Sequence, residues 1–170
     1  MINKNHVRIL NSFYAKLGAL IHKYSLISEG DKILIGVSGG IDSMSLLSGL
    51  ATRRAHSKAQ YTLTACYIEV ENLEYEIDTQ WLQSFCDQLK GEFIIKKINV
   101  DFRKYEYKGK CYACSRDKRR VLFEIAQKEG FNKIALGHHM DDAIETLLLN
   151  MFCHSQISSL PASLSMFNGK

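Results

Sequence analysis

Apolar positions along this chain keep two rhythms in turn. Short runs rich in β-branched and aliphatic residues lie at 32–37 (Lys-Ile-Leu-Ile-Gly-Val), 62–70 (Thr-Leu-Thr-Ala-Cys-Tyr-Ile-Glu-Val), 93–98 (Phe-Ile-Ile-Lys-Lys-Ile) and 132–136 (Asn-Lys-Ile-Ala-Leu), each short enough to be a buried strand. Between and after them the spacing changes to that of helices: Leu46, Leu47, Leu50 and Ala51; Ile77, Trp81, Leu82 and Phe85; Val121, Leu122, Ile125 and Ala126; Ile144, Leu147, Leu148 and Met151. An N-terminal helix with the stripe Val7, Leu10, Tyr14, Leu17 and Ile21 is expected to end near Gly30. This alternation predicts an α/β chain, a parallel sheet with helices on both faces and its ligand at the C-terminal ends of the strands. The boundaries it suggests are a helical segment over 1–30 and one domain over 31–170.

The turn after the first run carries candidate chemistry. Gly36-Val37-Ser38-Gly39-Gly40-Ile41-Asp42-Ser43 leads from a strand into a helix expected to start at about Asp42. Its glycines let the backbone approach a ligand closely, and the helix start offers free N–H groups to an anion. Ser38 and Ser43 add hydroxyls, and Asp42 can hold a cation that neutralises phosphate. The Lys-Ser/Thr pair of a Walker loop is absent. The same stretch also satisfies Gly36-x-Ser38-x-Gly40, the nucleophile elbow of α/β-hydrolases. That reading leaves Asp42 and Ser43 without a role, and His138 and His139 precede Asp141 and Asp142, the reverse of hydrolase order.

Charge is modest overall and strongly local. The net charge is +4, yet residues 103–120 hold eight bases (Arg103, Lys104, Lys108, Lys110, Arg116, Lys118, Arg119, Arg120) against Glu106 and Asp117, a net of +6 that leaves the rest at −2. Phe102, Tyr105, Tyr107 and Tyr112 are interleaved with those charges, a composition that can neutralise phosphates and stack bases. The segment reads as a basic loop running into a helix whose first turns contain Arg116, Lys118, Arg119 and Arg120, where the helix dipole disfavours cations. No apolar run approaches a bilayer-spanning length, Met1–Asn5 is polar, and five cysteines in 170 residues do not form a disulfide framework. A cytoplasmic protein that does not enter a membrane is therefore expected.

Cys111 and Cys114 share a spacing used by four chemistries: half a zinc site, with Cys153 and His154 as the remaining candidates, a redox pair, part of an iron–sulfur cluster, or a sulfur-carrying nucleophile. Cys66 and Cys86, on a strand and a helix, are expected to pack as small apolar residues.

The last run ends in Gly137-His138-His139-Met140-Asp141-Asp142, followed by a helical pattern closing on Leu149-Asn150-Met151-Phe152. Taken in order, Ser-Gly-Gly-x-Asp-Ser, Cys-x-x-Cys before a basic helix, and Gly-His-His-x-Asp-Asp resemble the tRNA 2-thiocytidine synthetase family of PP-loop ATP pyrophosphatases. The likeness runs from about Leu26 to Lys170 and implies the adenine-nucleotide alpha-hydrolase (HUP-like) fold. It implies that Ser38, Gly39, Gly40, Asp42 and Ser43 grip the pyrophosphate of ATP and its Mg²⁺, with His138, Asp141 and Asp142 on the far side of the same cleft. It further implies adenylation of a cytidine C2 carbonyl, with Asp42, Asp141, Asp142, Cys111 and Cys114 in catalysis. A tRNA would be held by Lys108, Lys110, Arg116, Arg119 and Arg120. Sulfur would come from a cysteine desulfurase or persulfide carrier, and a homodimer is left open.

A [4Fe–4S] cluster on Cys111 and Cys114 in that family takes a third cysteine from a C-terminal segment, for which this sequence has no match up to Asn168-Gly169-Lys170. Ile41 stands where the family has lysine and is more like the lysidine synthetases. A lysidine-type ligase, and a truncated ATP-binding module without catalysis, are the alternatives.

Overall fold

The computed structural model describes residues 4–75 and 77–165, with the side chains of Lys4 and Lys108 outside that description. The chain divides into two compact units, Ser28–Leu136 and a second made of Met1–Ile27 with Gly137–Lys170.

The first unit is the sheet. Strands β1 (Lys32–Val37), β2 (Thr62–Val70), β3 (Glu92–Ile98) and β4 (Lys133–Leu136) are all parallel in the order β3-β2-β1-β4, within a residue of the four sequence runs. Strand periodicity assigns the two faces. Leu34, Cys66 and Ile68 pack with Val121, Leu122 and Ala126 of helix α4 (Lys110–Glu129). The alternate positions Ile33, Ile35, Leu63, Ala65 and Tyr67 are equally buried, and helices α2 (Ile41–His56) and α3 (Thr79–Gln88) pack on β1, β2 and β3. A Cβ on Gly36 would come 2.9 Å from Leu136 and 3.1 Å from Leu122, so glycine there is what lets α4 lie tightly against β1 and β4. Cys66 and Cys86 are buried as expected, and desolvation pushes each thiol up to about 11.

The crossovers β1–β2–β3 proceed in one direction, and the chain then returns to place β4 on the other flank of β1. The strand order therefore reverses beside the C-terminal end of β1, the position from which open α/β sheets present ligands. At the opposite end Asp31 is buried and ties the strand starts together. Its carboxylate meets Lys133 Nζ at 2.7 Å and accepts from the Ser28 amide at 2.6 Å and from Asn132 Nδ2 at 2.8 Å. Burial raises its pKa, but Lys133, the Ser28 amide and Asn132 together outweigh that and hold it below the ordinary carboxylate value.

The second unit holds helices α1 (Lys4–Lys23) and α5 (Met140–His154). Helix α1 stops seven residues before Gly30, the expected end. Ser25 takes the left-handed conformation at φ 49°, and the Leu26 amide reaches back to the Ile21 carbonyl at 2.9 Å, a closure for which glycine is usual. After α5 the chain folds back: Asn150 Nδ2 donates to the Ser158 carbonyl at 2.9 Å, and the Ser159 hydroxyl donates to the Ala143 carbonyl. Among the described residues no helix is long and apolar enough to cross a membrane.

Candidate functional site

The turn between β1 and α2 is held by its own hydroxyls. Ser43, buried, accepts from the Ser38 amide at 3.1 Å, donates to the Gly40 carbonyl at 3.0 Å, and lies 3.2 Å from Ser38 Oγ. Ser38 Oγ in turn accepts from the Gly40 amide at 3.3 Å. Gly39 sits at φ 76°, and a Cβ there would lie 3.0 Å from Ile77 Cδ1. Ile77 is not part of α3, as its spacing suggested. The helix starts at Thr79 behind the Asp78 cap, whose carboxylate accepts from the Trp81 amide at 2.9 Å, and Ile77 instead covers the turn. No sequence period marks that contact, because it joins two loops.

Helix α2 starts at Ile41 on Gly40, with no side chain capping it. The amides of Ile41, Asp42 and Ser43 lie in the first turn, where no intrahelical acceptor exists, and they give the turn an electropositive mouth. Asp42 is exposed in that turn. The arrangement suits an anion with a cation beside it. It does not suit a hydrolase elbow: Ser38 Oγ is bonded to Ser43 and Gly40, and no histidine is among these partners.

The basic segment differs from its expected form. Residues Phe102–Lys108 form a 3₁₀ helix rather than an open loop, kinked at Tyr105 and capped by Asp101, which accepts from the Arg103 amide. Helix α4 begins at Lys110, so Cys111 sits inside its first turn and Cys114 opens the second, neither of them ahead of the helix. Arg116, Lys118, Arg119 and Arg120 lie beyond that turn, where the dipole penalty has faded. The cation conflict expected from sequence therefore falls on Lys110 alone. Cys111 is exposed and Cys114 half-buried, both free thiols, one turn apart on one side of the helix. Tyr105 donates to Asp117 at 3.5 Å, and Arg120 Nε lies 3.6 Å from the same carboxylate while its Nη1 holds Glu124 at 2.6 Å. Of the expected RNA contacts, Lys110, Arg116, Arg119 and Arg120 are exposed on this surface, and the Lys108 side chain lies outside the described residues.

In the other unit, His139 and Asp142 form a reciprocal cap on α5. The Asp142 carboxylate accepts from the His139 amide at 2.7 Å, and His139 Nδ1 accepts from the Asp142 amide at 3.4 Å. The His139 amide, with His139 and His138 nearby, keeps the Asp142 carboxyl below its ordinary value. Asp141 is exposed beside it, and His138 Nδ1 is 3.6 Å from Asp142. The usual sequence signal for such a cap is Ser or Thr three residues ahead of Glu or Gln, and histidine in that place does not carry it.

Among the described residues no three His, Cys, Asp or Glu side chains gather as a metal site requires. Two thiols do not complete a four-iron cluster. Asp42, an exposed carboxylate at a phosphate-suited turn, does fit a hydrated magnesium ion.

The PP-loop domain profile matches residues 9–168. The chain is 33% identical over 168 residues to a tRNA-cytidine(32) 2-sulfurtransferase of Colwellia psychrerythraea, covering 96% of this chain and 53% of that protein. It is 35% identical over 158 residues to one of Citrifermentans bemidjiense, covering 91% and 61%. It thus spans between half and two thirds of those relatives. In structure it resembles the U34-tRNA thiolase NcsA from Methanococcus maripaludis, solved with its [4Fe–4S] cluster, at a TM-score of 0.69 and 20% identity over 83% of this chain and 50% of that one. The sheet accordingly has the adenine-nucleotide alpha-hydrolase fold.

Proposed function

Because this chain belongs to the PP-loop domain family, we propose that it is the nucleotide-binding part of a tRNA-thiolating enzyme, which adenylates a cytidine C2 carbonyl so that sulfur can replace its oxygen. The observation that carries this reading is the hydroxyl-braced turn Ser38–Ser43 at the uncapped start of α2. The cytoplasm is the proposed location, residues 31–170 the catalytic domain and 1–30 a helical extension.

In this scheme the amides of Ile41, Asp42 and Ser43 hold the β- and γ-phosphates, and the Ser38 and Ser43 hydroxyls fix the turn around them. Asp42 would hold the magnesium ion, which when bound neutralises charge on the departing pyrophosphate. The cytidine oxygen attacks the α-phosphorus, the bond between the α- and β-phosphates breaks, and pyrophosphate leaves. A sulfur nucleophile then adds at C2, and AMP departs with the oxygen. Asp141, with His138 and Asp142, supplies further carboxylate and imidazole groups for the nucleotide. One of Cys111 and Cys114 takes a sulfane sulfur as a persulfide from a cysteine desulfurase or persulfide carrier, whose thiol is released. Once its terminal sulfur has added at C2, the other thiol attacks the S–S bond, which leaves the sulfur on the base and a Cys111–Cys114 disulfide for an external thiol reductant to reopen. Alternatively, the two thiols would supply two ligands toward a cluster. The relatives' names favour thiolation over a lysidine-type ligase. A homodimer is part of the proposal, to be read from sedimentation.

With ATP labelled in the α-phosphate, the chain is expected to release AMP and pyrophosphate in a tRNA-dependent manner. ADP as the product would replace this chemistry with phosphoryl transfer. Binding of ATP with no AMP formed would reduce the chain to the non-catalytic module.

The exposed cations of 103–120 predict a steep salt dependence for tRNA affinity. Each of Arg116, Arg119 and Arg120 changed to Ala should lower the slope of log K against log salt by about one. A slope unchanged in all three variants would remove this surface from RNA binding.

A further inference from the structure

The four aromatics of the basic segment are not equivalent in the fold. Phe102 and Tyr105 pack on the buried cluster Val70, Val100 and Ala113. Tyr112 meets the Tyr105 ring edge-on at 5.8 Å, and Arg116 lies 5.8 Å over Tyr105 while its Nη1 donates to the Tyr112 hydroxyl at 3.3 Å. The Tyr105 hydroxyl donates to Asp117. These contacts use up three of the rings and fix the 3₁₀ helix against α4. Tyr107, on the same short helix, is 100% exposed, whereas a tyrosine ring usually shields some apolar surface. It is held out by a backbone pinned on both sides, at the Tyr105 kink and at Gly109, whose amide donates to the Tyr105 carbonyl at 3.2 Å. Exposed Arg103, Lys104 and Lys110 surround it in sequence, and Cys111 follows four residues later.

From this division we infer that Tyr107 is a stacking platform for an unpaired nucleobase of the RNA, next to the cysteine pair. The inference rests on the RNA reading above and sharpens it. A ring already in water on a backbone already fixed gains contact area on stacking without further ordering of the chain, while nearby cations hold the phosphates on either side. Stacking demands a base out of its duplex, so the surface should favour single-stranded nucleotides over paired ones.

The test is fluorescence anisotropy with the full 170-residue chain, a labelled oligocytidine and an RNA duplex of equal length. Tyr107→Ala should weaken oligocytidine binding about tenfold, leave the salt slope and the duplex affinity as in wild type, and be rescued to within about twofold by Tyr107→Phe. Arg119→Ala should instead lower the salt slope. Salt-dependent binding by wild type that Tyr107→Ala leaves intact would overturn the stacking role alone. Equal losses on oligocytidine and duplex, with a changed slope, would show that Tyr107 acts on the electrostatic surface and not by stacking. No RNA affinity in wild type would overturn the RNA reading itself.

Discussion

Gly39→Val is expected to weaken ATP binding about 30-fold or more while the protein still unfolds cooperatively. Gly39 lies at φ 76°, a region that a β-branched residue adopts only under strain, and its new Cβ would stand 3.0 Å from Ile77 Cδ1. Strain of this kind costs on the order of 1–3 kcal/mol. The turn can relieve it only by moving, which would break the bonds of Ser43 to the Ser38 amide and the Gly40 carbonyl and disperse the amides at the start of α2. A loss of binding of about 30-fold or more follows from some 2 kcal/mol. Asp42→Asn makes the complementary change, because it keeps the turn and removes only the carboxylate; it should weaken ATP about tenfold with magnesium present and little with magnesium chelated. Titration calorimetry of both variants, with and without chelator, reads the two effects. ATP affinity in Gly39→Val equal to wild type would exclude the turn from nucleotide binding.

The second large effect lies at the far end of the sheet. Asp31→Ala leaves Lys133, Asn132 Nδ2 and the Ser28 amide without their shared acceptor. Removing one partner of a buried, hydrogen-bonded pair costs about 2–4 kcal/mol, or roughly 5–15 °C in melting temperature for a chain of this size. Asp31→Asn, which preserves shape, should lose less. Because the folded carboxyl lies below its ordinary pKa, its stabilisation is complete above the ordinary carboxylate range and fades as pH falls through the folded value. Wild type should therefore exceed Asp31→Asn by its full margin near neutrality and converge on it below about pH 4. Thermal melts of the three proteins across that range measure this. Coincident melts of wild type and Asp31→Ala would show that the latch contributes nothing.

What the sequence determined by itself was the rhythm and its consequence. The runs at 32–37 and 62–70 match β1 and β2 residue for residue, because a strand buried on both faces must be apolar along most of its length, whatever its partners. The phosphate-suited turn was legible for a similar reason: small residues, two hydroxyls and a carboxylate at a strand-to-helix junction constrain one another locally, and Ser43 bonds only within five residues. Tertiary structure decided the rest. Asp31 finds Asn132 101 positions away, and only the return of β4 to the flank of β1 brings them together. Ile77 covers Gly39 because α3 starts later than its apolar spacing suggests. The basic stretch reads as a loop in composition, since four of its aromatics and eight of its cations share one run of sequence. Packing against Val70, Val100 and Ala113 turns it into a 3₁₀ helix, draws Cys111 and Cys114 into α4, and separates Tyr107 from the three rings beside it. Local pattern reports how much of each segment must be buried; which side chains meet there depends on register between strands distant in sequence, and no period records that.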